Sequence, residues 1–360
     1  MVEIMGTQES IGEKVHLGYA GDKARQDRYE AKKYCRVCGG RVSRLYKGSG
    51  GRRCAVCLHR THREHLAGNK RVCSSCWEED MYIPGYSGGG RPGKISLLHL
   101  TDIHFSQEDP RQDASLLKKW IIKEDMDYVL ISGDLTSRAG KKEYESAAAW
   151  IGEVESAGAR VAVVPGNHDI GYFGNIMSVG RQFAGRKYHR WIEILDRPID
   201  PCVRGPGCLM LGLNSAHGIS PAGFVNGYLS RSQQARAGEI LLATPPGHLK
   251  VIFCHHPLVK FKNNFHKAMW RSENVRNILS AAGADLFLWG HQHSFATVRL
   301  EKEEGRCFAV QSPTLSGRIR DGDYPGFSTI DWHFGLMAII RSYRLVKGNI
   351  EEDGRVQYPL

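Results

Sequence analysis

The sequence lacks any long hydrophobic run. No apolar stretch approaches the roughly 18 residues of a membrane span, and the longest, such as 286–289 and 336–340, have the length of core strands. The first 30 residues contain no apolar segment like the centre of a secretory signal. These absences argue against a membrane-spanning or secreted protein, so we expect a soluble, cytoplasmic one.

Acidic residues are scarce in one segment. Between Ala31 and Cys76 there are twelve lysines and arginines but a single acid, Glu64. That segment alone carries the chain's whole formal net charge of +11, so the remaining residues sum to zero. A basic module of this kind attracts nucleic acid, an anionic lipid surface or an acidic protein. The alternative is that the charge only keeps a small zinc module soluble.

Six of the ten cysteines fall into three C-x-x-C pairs within this basic segment. Without a secretory signal, such spacing indicates metal binding rather than disulfides. With an H-x-x-H pair they would supply eight ligands for two tetrahedral zinc ions. The predicted zinc ligands are Cys35, Cys38, Cys54, Cys57, His62, His65, Cys73 and Cys76. His59 is a competing ligand for the third pair. A segment of about 45 residues with little apolar content needs such ions to fold.

The composition and the apolar pattern of the sequence change at a Gly/Pro-rich stretch, 84–93. We therefore predict a flexible tail over 1–30, a double zinc finger over 31–80, a linker over 81–93 and a catalytic domain over 94–360. Within the last region, apolar strand-like runs alternate with helical patterns, and the chain after residue 300 is mostly strand-like. The alternation predicts an α/β core whose sheet is at least partly parallel.

Metal-seeking residues follow one predicted strand after another, in the motifs T-D-I-H, S-G-D-L-T, P-G-N-H-D, C-H-H-P and W-G-H-Q-H. The carboxyl ends of strands in α/β sheets are where ligands bind. Five strands that deliver such side chains to one edge predict a metal site. The candidates are Asp102, His104, Asp134, Asn167, His168, Asp169, His255, His256, His291 and His293.

The five blocks together resemble the calcineurin-like metallophosphoesterase family over about residues 94–300. The segments I-S-G-D-L-T-S, F-C-H-H-P-L and L-W-G-H-Q-H are similar in sequence to those of its cyclic-nucleotide phosphodiesterase branch. The resemblance implies a four-layer αββα sandwich, here preceded by a small zinc-stapled domain. It also implies a pair of active-site ions, with Mn, Fe or Zn suited to such ligands.

The resemblance assigns roles to these residues. Asp102, His104 and His293 would hold one ion, Asn167, His255 and His291 the other, and Asp134 would bridge them. The family pattern favours His255 over His256 as the ligand. His168 would act as the acid or as the stabiliser of the transition state, and Asp169 would either orient a neighbour or cap the loop backbone.

The cysteine module resembles a FYVE-type cross-brace finger through Arg52-Arg53-Cys54 and R-V-C-S-S-C at 71–76. In that arrangement alternate pairs share an ion. One zinc would take Cys35, Cys38, His62 and His65, and the other would take Cys54, Cys57, Cys73 and Cys76. The histidines that such fingers carry after the arginine pair are absent, which argues against phosphoinositide binding. The alternative is a purely structural zinc module that docks on the catalytic domain or on a partner.

Three functions are compatible with the sequence. The first is a metal-dependent phosphodiesterase that hydrolyses a nucleotide or cyclic nucleotide. The second is a DNA or RNA nuclease of the same fold, recruited to nucleic acid by the basic finger. The third is a non-catalytic zinc-finger adaptor, which should have lost ligands, whereas all seven expected active-site ligands are present.

Overall fold

The computed structural model describes most of the chain after residue 92. The described residues are 52–53, 60–61, 66–67, 72–73, 93–106, 114–170, 187–218, 226–261, 268–300, 306–316 and 324–360. They divide into two units, each described by itself. One contains the short strands before residue 88 and the helix Arg231–Ala243, and the other contains residues 89–229 and 244–360.

Sixteen strands and four α-helices lie in these ranges. The strands are β1 (Arg52–Arg53), β2 (Arg60–Thr61), β3 (Leu66–Ala67), β4 (Val72–Cys73), β5 (Lys94–Leu100), β6 (Tyr128–Ile131), β7 (Arg160–Val163), β8 (Cys202–Gly205), β9 (Cys208–Gly212), β10 (Leu249–Phe253), β11 (Leu286–Trp289), β12 (Ala296–Leu300), β13 (Cys307–Gln311), β14 (Gly326–His333), β15 (Met337–Val346) and β16 (Asn349–Pro359). The helices are α1 (Ala114–Glu124), α2 (Lys141–Glu155), α3 (Arg231–Ala243) and α4 (Ser272–Ala281). A 3-10 turn covers His168–Ile170 and a π-helical turn covers Trp191–Leu195.

The second unit is built on two six-stranded sheets. In the first sheet the strand order is β16-β15-β14-β5-β6-β7, with β5, β6 and β7 parallel. In the second the order is β12-β13-β11-β10-β9-β8, with β9, β10, β11 and β13 parallel. Antiparallel strands flank both parallel groups. The sequences of the parallel strands are mostly uninterrupted apolar runs, as expected of strands that are covered on both faces.

One continuous apolar cluster joins the two sheets. It contains Leu97 of β5 and Ile340 of β15 together with Val251 of β10 and Phe308 of β13. A second cluster lies on the other face of the first sheet, where Leu117 of α1 and others from α2 pack against β5 and β6. Each such side chain contributes about 1.5–3 kcal/mol when fully buried. The described residues therefore form helix, sheet and sheet layers, in line with the predicted α/β fold class.

The predicted alternation of strand and helix is present as β5, α1, β6, α2 and β7, and the predicted strand-rich end is present as β13 to β15. Most of the predicted tail, finger and linker over 1–93 lies outside the described residues, and so do all eight predicted zinc-ligand side chains. Of that region the structure describes two short antiparallel pairs, β1 with β2 and β3 with β4. The domain boundaries and the zinc ligands stay predictions. Among the described helices, none has the length and apolar character to cross a bilayer.

A buried histidine lies in the first sheet, three residues before Asp102, the first residue of the D-x-H motif. His99 of β5 is fully buried, and its Nε2 lies 2.8 Å from the Oγ of Ser132. Burial lowers the pKa of His99 to about 3, against a smaller opposing effect of the Asp102 charge. The folded protein therefore keeps this imidazole neutral, whereas the unfolded chain protonates it near its ordinary pKa of about 6.5.

We expect His99 to make the protein sensitive to acid. Its contribution to stability is complete above about pH 6.5 and is lost as the pH falls towards 3, because the unfolded chain then binds one proton more. When the pH is lowered from about 6 to 5, the free energy of unfolding should fall in metal-free wild type. In metal-free His99→Gln the fall should be smaller by about 1 kcal/mol. Denaturant titrations at the two pH values measure this. Equal losses in the two proteins would contradict the assignment.

Candidate metal centre

The loops that follow five parallel strands carry the predicted site residues to one region of the second unit. Asp102 and His104 follow β5, Asp134 follows β6, and Asn167 follows β7. Most of these side chains are buried, while His168 and His293 are partly exposed. The residues brought together are Asp102, His104, Asp134, Asn167, His168, His255, His256, His291 and His293.

The D-x-H loop is bonded side by side to the G-D-L loop. The backbone N–H of Asp102 donates to the carbonyl of Gly133 at 3.0 Å, and that of His104 donates to the carbonyl of Asp134 at 3.0 Å. These bonds continue the pairing of β5 with β6 beyond the ends of the strands. Asp102 and Asp134 are thereby fixed next to each other by backbone hydrogen bonds, independently of any ion.

Five candidate ligands have a positive φ angle, which non-glycine residues rarely adopt. They are Asp102 (52°), His104 (53°), Asp134 (51°), His291 (68°) and His293 (62°). These make up half of the ten non-glycine residues with positive φ in the described part of the chain. Each such residue costs on the order of 1–3 kcal/mol, and such strain clusters at functional sites. The sandwich core must therefore offset a local cost that serves to aim these side chains.

Two glycines of the motifs are required by close approach. A Cβ on Gly166 would collide with the carboxylate and the backbone N of Asp134, and a Cβ on Gly290 would collide with Thr101 Oγ1 and Asp102 Oδ2. The absence of these side chains lets the P-G-N and W-G-H loops touch the two carboxylates. The glycines in the motifs thus have a packing reason.

One group of candidate ligands centres on Asp102. Its Oδ1 lies 3.2 Å from His293 Nε2 and 3.9 Å from His104 Nε2. His104 Nε2 is also 3.9 Å from Asp134 Oδ2. The donor atoms of Asp102, His104 and His293 all lie within 4.8 Å of one another, which is compatible with one shared ion.

A second group centres on His255. Its Nε2 lies 3.0 Å from Asn167 Oδ1, 3.1 Å from His291 Nδ1 and 3.3 Å from Asp134 Oδ2. Its Nδ1 donates to the carbonyl of Ser132 at 2.8 Å. A backbone carbonyl that takes the Nδ1 proton leaves Nε2 as the ligand atom, the arrangement usual for metal-binding histidines. Asp134 therefore lies within reach of both groups.

His256 is held differently. Its Nδ1 lies 2.8 Å from Ser215 Oγ, which also accepts the backbone N–H of His256 at 3.1 Å. Ser215 is fully buried, and among the described residues His256 Nδ1 is the acceptor for its hydroxyl proton. A buried hydroxyl normally finds an acceptor. A hydroxyl that donates to Nδ1 would leave the proton of neutral His256 on Nε2. A ring nitrogen of His256 nevertheless lies within 4.8 Å of those of His255 and His291, so the geometry keeps His256 among the candidate ligands.

The comparisons with known proteins agree with this geometry. The family model described as calcineurin-like phosphoesterase matches residues 95–295, more than half of the chain. The chain belongs to the calcineurin-like phosphoesterase family. It is accordingly a hydrolase that acts on phosphoric ester bonds, in a fold that implies a dinuclear site for divalent metal ions.

Among solved structures, the chain is similar to a purple acid phosphatase from seeds of yellow lupin, Lupinus luteus. The TM-score is 0.54 at 14% identity, and the match covers 76% of this chain and 55% of that one. It is also similar to GAP50, described as the anchor in the inner membrane complex of Plasmodium. There the TM-score is 0.45 at 12% identity, over 75% of this chain and 89% of that one. The first likeness shows the fold alone. The curated proteins contain no significant match.

Both buried carboxylates of the phosphoesterase site stay ionised. Burial alone would raise the pKa of Asp102, but the charge and hydrogen bond of His293 together with the charge of His255 outweigh it and hold the pKa below its usual range. Burial would likewise raise the pKa of Asp134, and there His255 and then His168 lower it well below its usual range. The groups that do this are imidazoles, which can exchange a proton for a metal ion.

The strongest sign of a cation site is His255 itself. Burial alone would lower its pKa, but the charge and hydrogen bond of Asp134, the charge of Asp102 and the hydrogen bond to Ser132 together raise the pKa to about 9. In the ion-free protein a proton on this ring therefore sits among two carboxylates and an amide oxygen. Carboxylate, imidazole and amide donors in one buried cluster fit Mn, Fe, Co or Zn. The residues present thus fit the metals that the fold implies.

The remaining two motif residues have distinct positions. His168 donates from Nδ1 to the carbonyl of Ser137 at 2.8 Å, and its Nε2 lies 4.0 Å from Asp134 Oδ2. Asp169 instead accepts the backbone N–H groups of Gly166 and Thr136, each at 2.8 Å. Of the two roles considered for Asp169, the structure shows the backbone cap. Burial and the nearby Asp134 charge raise the pKa of Asp169 to about 6.

Three supporting residues were not among the predicted site residues. Thr101 Oγ1 donates to Asp102 Oδ2 at 2.7 Å, and Thr314 Oγ1 donates to the carbonyl of Asp102 at 2.8 Å. Thr101 adjoins a motif, so its position was a usable hint. Thr314 and Ser215 are distant from any motif, and only the folded chain brings them to the site.

Proposed function

We propose that this calcineurin-like phosphoesterase is a metal-dependent phosphodiesterase that acts on a nucleotide or cyclic nucleotide. The observation that carries the proposal is the position of Asp134 between two separate groups of ligand atoms. We assign Asp102, His104 and His293 to one ion, Asn167, His255 and His291 to the other, and Asp134 to both. The similarity of its motifs to the cyclic-nucleotide branch supports a diester over a monoester.

Two divalent ions held by these residues would clamp the phosphoryl oxygens and would supply an activated water molecule. The protein supplies the rest. The Ser137 carbonyl anchors Nδ1 of His168, so that Nε2 stays on the side of Asp134. A protonated Nε2 in that position can donate to a phosphoryl oxygen or to the departing alkoxide. Because the ring is partly exposed, it can exchange its proton with solvent between turnovers.

Metal content should distinguish the two adjacent histidines. His255→Ala removes a ligand atom and should lower the bound metal by about one ion per chain relative to wild type. The matched variant His256→Ala should keep the wild-type metal content, because Ser215 holds that ring by Nδ1. Elemental analysis of the purified proteins after dialysis measures both. Loss of metal in His256→Ala with none in His255→Ala would reverse the assignment.

Activity should separate metal binding from proton donation. Asp134→Ala should abolish hydrolysis of bis-p-nitrophenyl phosphate, as should Asn167→Ala, because each removes a ligand. His168→Ala should retain its metal and lose about 10²–10⁴-fold in kcat, the usual range for a general acid. Paired measurements of kcat and metal content test this. Full activity in Asp134→Ala would place the reaction elsewhere.

The charge of the basic segment supports a second candidate, a nuclease recruited by a finger with two structural zinc ions. Deleting residues 1–93 should then weaken binding to single-stranded DNA and reduce the dependence of that binding on salt, because counterion release scales with the number of phosphate contacts. Hydrolysis of bis-p-nitrophenyl phosphate by the same protein is the control for folding. Unchanged DNA affinity after the deletion would remove the recruitment hypothesis.

A further inference from the structure

One tryptophan differs from the others in its exposure. Trp150, Trp191, Trp289 and Trp332 are buried in the second unit, and Trp120 packs against the helix-covered face of the first sheet. Trp270 is 38% exposed, more than any other tryptophan in the described part of the chain. An indole that stabilised only the core would gain most by full burial. The exposure of Trp270 therefore calls for a reason outside the core.

Its neighbours hold the indole in a fixed orientation. The ring centroids of Trp270 and Tyr228 are 5.6 Å apart with a tilt of 38°, and the guanidinium carbon of Arg271 lies 4.5 Å from the Trp270 centroid. The backbone N–H of Trp270 donates to the carbonyl of Gly227 at 2.9 Å. Arg271 adopts a φ of 56°, a strained value for this residue type. We call Tyr228, Trp270 and Arg271 the aromatic wall.

The aromatic wall adjoins the metal centre through two short connections. Gly227, which precedes Tyr228, lies so close to His256 that a Cβ there would collide with the imidazole. The backbone N–H of Tyr228 donates to the carbonyl of Ser215 at 3.0 Å, and the hydroxyl of Ser215 holds His256. The His256 ring in turn lies 4.7 Å from that of His291. Gly227 and His256 therefore lie between the aromatic wall and the candidate ligand His291.

We propose that the aromatic wall is a binding subsite for the nucleobase of a phosphodiester substrate. The proposal rests on the proposed diesterase function and adds the residues that recognise the organic part of the substrate. An exposed indole beside a partly buried phenol ring can stack on any base, and an adjacent guanidinium adds a cation–π contribution. Because Gly227 packs against His256, a base stacked on the aromatic wall would lie on the same side of the unit as the candidate metal ligands.

Two diesters with the same leaving group test the subsite. The p-nitrophenyl ester of thymidine monophosphate carries a base, and methyl p-nitrophenyl phosphate carries none. Wild type should prefer the first in kcat/KM, and Trp270→Ala should reduce that preference about tenfold, in the range of one lost stacking contact. Because the preference is a ratio, a partly unfolded preparation does not change it. Trp270→Phe should keep most of the preference.

Ile122→Ala is the matched control, since Ile122 is an exposed apolar residue on α1, 56% exposed. It should keep the wild-type preference. A preference that is equal in wild type and Trp270→Ala overturns the subsite while leaving the diesterase function intact. If wild type hydrolyses neither ester, the diesterase proposal fails instead. The wall is then judged by the affinity of metal-loaded protein for thymidine monophosphate, where equal values in wild type and Trp270→Ala overturn it.

Discussion

The structure of the site depends on two buried carboxylates that have imidazoles as their main counter-charges. Asp102 and Asp134 lie at 0% and 2% exposure on neighbouring loops, fixed there by backbone hydrogen bonds between those loops. Two buried negative charges are costly unless positive charge is close by. Histidines meet that need only when protonated, and divalent ions meet it more completely. The same electrostatic constraint thus explains the raised pKa of His255 and the clustering of ligands around Asp134.

Aiming those ligands requires a backbone that no local preference would produce. Positive φ angles at Asp102, His104, Asp134, His291 and His293 cost energy that must come from elsewhere in the fold. The apolar cluster between the two sheets and the one beneath α1 and α2 provide it. Gly166 and Gly290 remove the side chains that would keep the loops apart. Core packing and catalytic geometry are therefore coupled, because a loosened sheet would let the strained turns relax.

The sequence predicted the parallel strands and the residues at their ends, because buried strands read as apolar runs and metal ligands are chemically conspicuous. It missed β16, whose residues are polar and mostly exposed at a sheet edge, and α3, which has few apolar residues on any face. Thr314 and Ser215 were also missed. Their role comes from contacts across 212 and 41 residues of chain, which no local pattern encodes.

The two adjacent histidines show why chemistry alone did not settle the ligands. His255 and His256 have the same side chain, the same neighbourhood in sequence and nearly the same burial. What separates them is the partner of each Nδ1. A backbone carbonyl can only accept, so Ser132 fixes the proton of His255 on Nδ1, whereas a Ser215 hydroxyl that donates to His256 Nδ1 would leave the His256 proton on Nε2. Under the proposed assignment one hydrogen bond separates a ligand from the ring beside it, and the His256 ring packs against Gly227 at the edge of the aromatic wall.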